Sequence, residues 1–121
     1  MIDPQIIKYA ADTSNYGLQK KSKYIAISKN KVCGDRITVE LKIDRKVIKK
    51  MCYETESCVY CQASASLLSK SVRNKDVKKI FFFLENEKKN KKFKELLKNK
   101  ERINCVMLPF VALQKAVNNT R

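Results

Sequence analysis

"RITVELKIDRKVIKKMCYETE", residues 36 to 56, is the stretch whose reading decides the fold. Ile37, Val39, Leu41 and Ile43 alternate with Thr38, Glu40 and Lys42, the period of two expected of a strand with one buried face. Asp44, Arg45 and Lys46 then make a tight turn, and Val47, Met51 and Tyr53 share one face of the returning segment. Two such runs joined by so short a turn predict an antiparallel hairpin.

Working outward, "KYIAI" (23 to 27) reads as a further short strand, followed by the loop "SKNKVCGD". Residues 3 to 11, "DPQIIKYAA", predict a helix opened by Asp3 and Pro4, an acid and then a residue favoured in the first turn. Downstream, "QASASLLSKSV" (62 to 72) loses the strand alternation and is rich in small residues, which let a helix pack closely or bring its amides near a bound group. Residues 76 to 100 predict one interrupted or two short amphipathic helices with Phe81, Leu84, Phe93, Leu96 and Leu97 as the apolar stripe. A last helix begins at "NCVMLPFVALQKAV", with Pro109 near its first turn and Leu108, Val111, Ala112 and Ala116 facing inward. The expected fold class is α+β: an antiparallel sheet of about three strands with helices packed on one side, forming a single domain over residues 1–121.

The chain has 121 residues and 44% hydrophobic content, enough for one core despite its charge. No run approaches the roughly 18 to 20 apolar residues of a membrane span, and the amino terminus lacks the basic-then-apolar pattern of a signal. A cytoplasmic location, with no membrane partner, is the resulting expectation. There five cysteines read as metal-binding or catalytic thiols before disulfides. The net charge of +15 invites a nucleic-acid reading, yet only five of the 27 basic residues are Arg, the side chain best suited to bidentate phosphate and base contacts. The balance favours a solvated Lys-rich surface, including the run Lys88 to Lys94.

Three cysteines fall where the backbone changes direction. Cys33, with Asp35, lies on the loop entering a strand, Cys58 between a strand and a helix, and Cys105 at the head of the last helix. Loop ends placed by rigid elements are where sites usually form, and helix N-termini favour the thiolate that a metal requires. Together these residues offer three sulfurs and one oxygen, suited to tetrahedral zinc or to iron in a cluster; each thiol, taken singly, also fits a buried core residue. Cys52, inside a strand, reads as a core thiol. Cys58 and Cys61 form a C-x-x-C, but a thioredoxin-like pair belongs in a βαβ unit and a zinc knuckle needs a second C-x-x-C, and neither is present. The chain has no histidine, which removes Cys–His nucleophile pairs.

Four segments, in order, resemble one family. "IIKYAADTSNYG" (6 to 17), "CGDRITVELKID" (33 to 44), "SCVYCQASASLLSKSV" (57 to 72) and "INCVMLPFVALQKAV" (103 to 117) are similar to the motifs of iron–sulfur cluster assembly scaffolds of the IscU/NifU N-terminal type, including its SufU-like branch. The resemblance implies a non-catalytic scaffold that takes sulfur from a cysteine desulfurase, builds a two-iron two-sulfur cluster and passes it to apo acceptor proteins. It implies Cys33, Asp35, Cys58 and Cys105 as ligands, and Cys105 or Cys58 as sulfur acceptor. Gly34 then frees the backbone so that Cys33 and Asp35 address one metal. The chain departs from the pattern at Asn104, where the IscU branch has histidine, in lacking a Leu-Pro-Pro-Val-Lys motif, and in lacking the long SufU insertion between Cys58 and Cys105. Cys61 is an addition, read as a packed thiol or a spare sulfur acceptor. A zinc-bound sulfur acceptor that stimulates a desulfurase is the alternative, and a basic nucleic-acid-binding module the third reading.

Overall fold

A computed structural model of the chain describes residues 2–31 and 34–119. Its elements run α1 (Pro4–Ala11), β1 (Ile25–Lys29), β2 (Arg36–Asp44), β3 (Val47–Glu56), α2 (Val59–Ser71), α3 (Ile80–Glu87), α4 (Lys91–Leu97) and α5 (Ile103–Asn118), with 3-10 turns at Val77–Lys79 and Lys100–Arg102. The three strands form one antiparallel sheet in the order β1-β2-β3. Helices α2 and α5 pack together on one face of it, and α1 packs on α2. The α+β expectation therefore holds. Among the described residues no helix is long and apolar enough to cross a membrane.

The hairpin forms for the reasons its sequence supplies, with one amendment. Ile37, Val39 and Leu41 are fully buried and lie opposite Thr55, Tyr53 and Met51. The register then slips between Lys42 and Ile43: Lys42 pairs with Lys50, but Ile43 pairs with Ile48, so β3 carries one extra residue. Such a bulge reverses which side chains face inward. Ile48 is fully buried where Val47 was expected, and Val47 is only half-buried. The turn itself is two residues long, Arg45 and Lys46, both at positive φ (53° and 65°), the geometry that matches the twist of paired strands.

Strand β1 begins two residues later than expected because the preceding backbone is captured elsewhere. Glu40, on the outer face of β2 and expected in solvent, is 4% exposed. Its Oε1 accepts from the amides of Gln19 (2.7 Å) and Lys20 (3.1 Å), and its Oε2 from those of Lys21 (2.9 Å) and Ser22 (3.0 Å). This folds residues 19 to 22 over the outer face of the sheet. The free edge of β3 is closed too, by Gly17 N–H donating to Tyr53 O (2.8 Å) and Ile48 N–H donating to Lys75 O (2.9 Å), which removes a template for edge pairing.

The helices begin at identifiable caps. The Asp3 carboxylate accepts from Gln5 N–H (2.8 Å) with Pro4 in the first turn, and Asn90 Oδ1 accepts from Lys92 N–H (2.9 Å) to start α4. The cap at Asn90 resolves residues 76 to 100 into two helices. Their buried side chains are Ile80, Leu84, Phe93 and Leu96; Phe81, expected in the stripe, is 64% exposed, because the buried face of α3 runs through Ile80 and Leu84, four residues apart, and leaves Phe81 to its side. Helix α5 starts at Ile103, so Pro109 sits in its interior rather than its first turn. Leu108, Ala112 and Ala116 are buried as expected, whereas Val111 is exposed.

Burial opposes ionisation of Glu40, but the four amides overcome it and hold the carboxyl below its ordinary range. Glu40→Gln should lower stability by about 2 kcal/mol, since the amide offers one acceptor oxygen and turns a donor toward the other two amides. A depressed folded pKa contributes stability that is fully present above the ordinary value and lost as pH falls through the folded one. Denaturant melts of the parent should therefore weaken on acidification below about pH 4.5, and those of Glu40→Gln should weaken less.

Candidate metal centre

Three segments of very different sequence position meet at one end of the sheet. Asp35 immediately precedes β2, Cys58 is the N-cap residue of α2, and Cys105 lies in the first turn of α5. One ligand atom from each, the two sulfurs and a carboxylate oxygen, all lie within 4.8 Å of one another. Asp35 and Cys105 are buried and Cys58 is half-buried, so the group opens to solvent on the Cys58 side. Of the four ligands expected from sequence, these three are brought together; Cys33 lies outside the described residues.

Each is held by local structure. Gly34 takes φ +76°, the left-handed region that favours glycine, with open space around it, so conformation rather than crowding makes this position a glycine. Gly34 N–H donates to Asn30 O (2.8 Å) and Asn30 N–H to Asp35 O (2.8 Å), which closes the loop and sets Asp35 at the mouth of β2. Its Oδ1 accepts from Cys58 N–H (3.3 Å), so the carboxylate reaches across to the start of α2. The Cys58 side chain makes no cap bond to its own helix. Its sulfur is turned to other use.

The electrostatics suit a cation bound by thiolates. Asp35 Oδ2 is buried and has no hydrogen-bond partner among the described residues. Such an oxygen costs about 1–3 kcal/mol or more when charged, and a metal ion is the partner that would offset it. Two helix N-termini direct their positive ends at the same point. Arg102, one helical turn before Cys105, adds a full charge: its guanidinium pKa is raised by a hydrogen bond to Cys105 and by the negative charge of Cys58, Cys105 and Asp35. The sequence reading missed Arg102, although its i,i+3 spacing from Cys105 was the available signal. Thiolate sulfurs with a carboxylate oxygen suit zinc or iron. Zn–S bonds of about 2.3 Å place tetrahedral sulfurs about 3.8 Å apart, so small side-chain rotations would close the set.

The other two described thiols differ from these. Cys52, opposite Glu40 on the outer face of the sheet, is raised by burial and stands outside the group. Cys61 is fully buried in the first turn of α2, where burial pushes its thiol up to about 11, so it is neutral at physiological pH. A groove of about 890 Å³ lies at the opposite end of α5 between Tyr24, Lys46, Phe81 and Gln114, and carries no sulfur or carboxylate among its lining residues.

Comparison with known proteins gives consistent results. The family model of the NifU-like N terminal domain matches residues 2–121. The iron-sulfur cluster assembly scaffold protein IscU of Thermotoga maritima is 35% identical over 89 residues, which span 74% of this chain and 63% of that protein. The zinc-dependent sulfurtransferase SufU of Bacillus subtilis is 25% identical over 133 residues, covering 93% of this chain and 86% of that protein. Among solved structures, a NifU-like protein (N-terminal) from Brucella abortus superimposes with a TM-score of 0.81 at 20% identity, over 97% of this chain and 92% of that one. A SUF-system protein from Fervidobacterium islandicum, FiSufU, gives 0.79 at 22% identity, over 96% of each chain. At these identities the structures establish the shared fold.

Asp35 provides a direct test of what the carboxylate is for. Its removal sacrifices one long hydrogen bond and relieves one buried, unpartnered oxygen, and these oppose each other at about 1 kcal/mol each. The metal-free Asp35→Ala variant should therefore unfold within about 1 kcal/mol of the parent, measured by denaturant melts. A loss of several kcal/mol would make Asp35 a structural cap.

Proposed function

Because the chain belongs to the family of NifU-like N terminal domains, we propose that it is a non-catalytic scaffold for an iron–sulfur cluster. On it a two-iron two-sulfur cluster is assembled as cargo, with sulfur from a cysteine desulfurase, and then passed to apo acceptor proteins. The observation that carries this reading is the meeting of Asp35, Cys58 and Cys105 within 4.8 Å at two helix N-termini, around a buried carboxylate oxygen without a hydrogen-bond partner. Cys33 completes the ligand set in this reading. The chemistry belongs in a reducing compartment, the cytoplasm, where thiols are kept available.

The residues divide the work by exposure. Cys58 is the accessible sulfur and receives the incoming atom: its thiolate attacks the outer sulfur of the desulfurase persulfide, an S–S bond forms on Cys58, and the desulfurase thiolate departs. Cys105, 2% exposed, is placed to hold iron and to take sulfur passed inward. Arg102, hydrogen-bonded to Cys105, and the helix N-termini bring positive charge to both sulfurs. Asp35 supplies a harder oxygen ligand, which binds iron in a sulfide cluster less tightly than sulfur does. It is the bond from which release begins.

The same donor set suits zinc. Coverage of 93% of the chain by the alignment to the SufU relative supports a second reading, a zinc-bound sulfur acceptor that stimulates a desulfurase. Metal analysis after anaerobic purification separates the two: iron with matching sulfide supports the scaffold, and zinc alone with desulfurase stimulation supports the second. Steep salt-dependent binding to DNA or RNA would instead favour the nucleic-acid module.

Serine at Cys33, Cys58 or Cys105 should each reduce bound metal by about tenfold or more, whereas Cys52→Ser should retain it. Full retention in Cys58→Ser would remove Cys58 from the set. For cargo release, Asp35→Ala should lengthen the life of an assembled cluster and slow its transfer to an apo-ferredoxin-type acceptor, followed by visible absorbance. An unchanged transfer rate would assign release to another ligand.

A further inference from the structure

Sulfur reaches such a site in the wrong oxidation state. A persulfide carries its outer sulfur at the level of elemental sulfur, whereas a cluster bridge is sulfide, two electrons richer. The structure places a second thiol next to the one proposed to receive that sulfur. Cys58 is the N-cap residue of α2 and Cys61 is the third residue of the helix. In a capping box the side chains at these two positions each reach the other residue's backbone, so both positions lie over the same first turn. Residues three apart there have Cβ atoms about 5–6 Å apart, against about 3.5–4.5 Å in a disulfide, so a bond between the pair needs the N-cap residue to move inward by about 1–2 Å. A βαβ setting is not part of that requirement.

The two sulfurs are unequal. Cys58 is half-buried and reachable by a partner protein, whereas Cys61 is fully buried and meets only what Cys58 carries. Cys61 faces a polar wall: its sulfur is 3.9 Å from Thr55 Oγ1, which in turn bonds Ser57 Oγ (2.6 Å) and donates to Arg36 O (2.7 Å).

We propose that Cys58 and Cys61 act as a reductive pair that converts sulfur carried on Cys58 into sulfide. This rests on the reading that Cys58 accepts sulfur from a desulfurase. Cys61 Sγ attacks the inner sulfur of the Cys58 persulfide, the Cys58–Cys61 bond forms, and the bond to the outer sulfur breaks. The outer sulfur takes the electron pair and the Cys61 proton and leaves as HS⁻, beside Asp35 and Cys105 where iron would be held. One sulfur gains two electrons and two thiol sulfurs lose one each, so the step needs no outside reductant. A small dithiol or a dithiol protein restores the pair for the next cycle by thiol–disulfide exchange.

The test uses the full metal-free chain, incubated without oxygen with a cysteine desulfurase and limiting cysteine, and no added thiol. Free sulfide is measured, and the cysteines are mapped by mass spectrometry. The parent should release one sulfide for each Cys58–Cys61 disulfide formed. Cys61→Ser and Cys61→Ala, both checked for folding by thermal melts, should instead accumulate persulfide on Cys58 and release sulfide about tenfold more slowly. Serine suits the hydroxyl wall and alanine the apolar side, so at least one variant should fold. Persulfide on Cys58 with sulfide release unchanged in both variants overturns the proposal and leaves Cys58 as acceptor. A parent disulfide from Cys58 to Cys105 or Cys33 overturns it likewise. Absence of sulfur from Cys58 in parent and variants alike removes the acceptor reading together with the proposal.

Discussion

Deep between the two cysteine-bearing helices, Ser64 Oγ donates to Val106 O at 2.6 Å, a fully buried bond between α2 and the residue after Cys105. Ala63, Ser64, Ala65 and Ser66 are all buried, and only side chains this small allow the helices to approach so closely. The bond fixes how far each helix reaches along the other, and so fixes the separation of Cys58 from Cys105. Further serines extend the arrangement: Ser66 Oγ donates to Asp12 O (3.0 Å), and Asn15 Nδ2 to Ser69 Oγ (3.0 Å). The segment after α1 is thereby tied to the same helix. The metal centre lies at the end of this frame, where Cys58 and Cys105 bring their sulfurs within 4.8 Å across the same pair of helices.

The two buried carboxylates of the sheet show what a structural acid and a functional acid look like side by side. Glu40 places both oxygens on backbone amides, two each, and its burial is fully answered within the protein. Asp35 has one long bond from Cys58 N–H and one buried oxygen with no partner among the described residues. Selection for stability alone would give the second the partners of the first, or replace it by an apolar residue. A cation beside it, as the proposed scaffold role requires, would answer that oxygen. On the surface, by comparison, Lys88 and Lys98 make exposed pairs with Glu85 and Glu95 on their own helices, contacts worth about 0–1 kcal/mol. Arg102, in contrast, is drawn toward the sulfurs.

How much of this was legible depended on how local the determining interaction was. The hairpin, the helix start at Asp3 and the division into sheet and helices follow from neighbours within a few residues, and the sequence reading found them; the cap at Asn90, equally local, went unread. The bulge at Lys42 and Ile43 was hidden because an extra residue leaves the composition of β3 unchanged while inverting its pattern. Glu40 was assigned to solvent because its partners lie about twenty residues away and are backbone, which has no sequence signature. Phe81 and Val111 were placed inward although each lies next in sequence to the residue that takes the buried position, Ile80 and Phe110. Asp35, Cys58 and Cys105 were readable as candidates from their places at element ends; their convergence needed the packing of α2 on α5.

That convergence also orders the sulfurs from outside to inside. Cys58 is half-buried, Cys105 nearly covered and Cys61 sealed, and the three share two helix N-termini. A thiol that must meet a partner needs exposure, and one that must keep iron from water needs cover. One that must react only with what its neighbour brings needs to be sealed from other partners, which burial secures for Cys61. A single pair of helix starts can provide all three conditions because an N-cap residue lies at the surface while the residue one turn on faces the core. The spacing of Cys58 and Cys61 thus separates receiving sulfur from reducing it, within one turn of backbone.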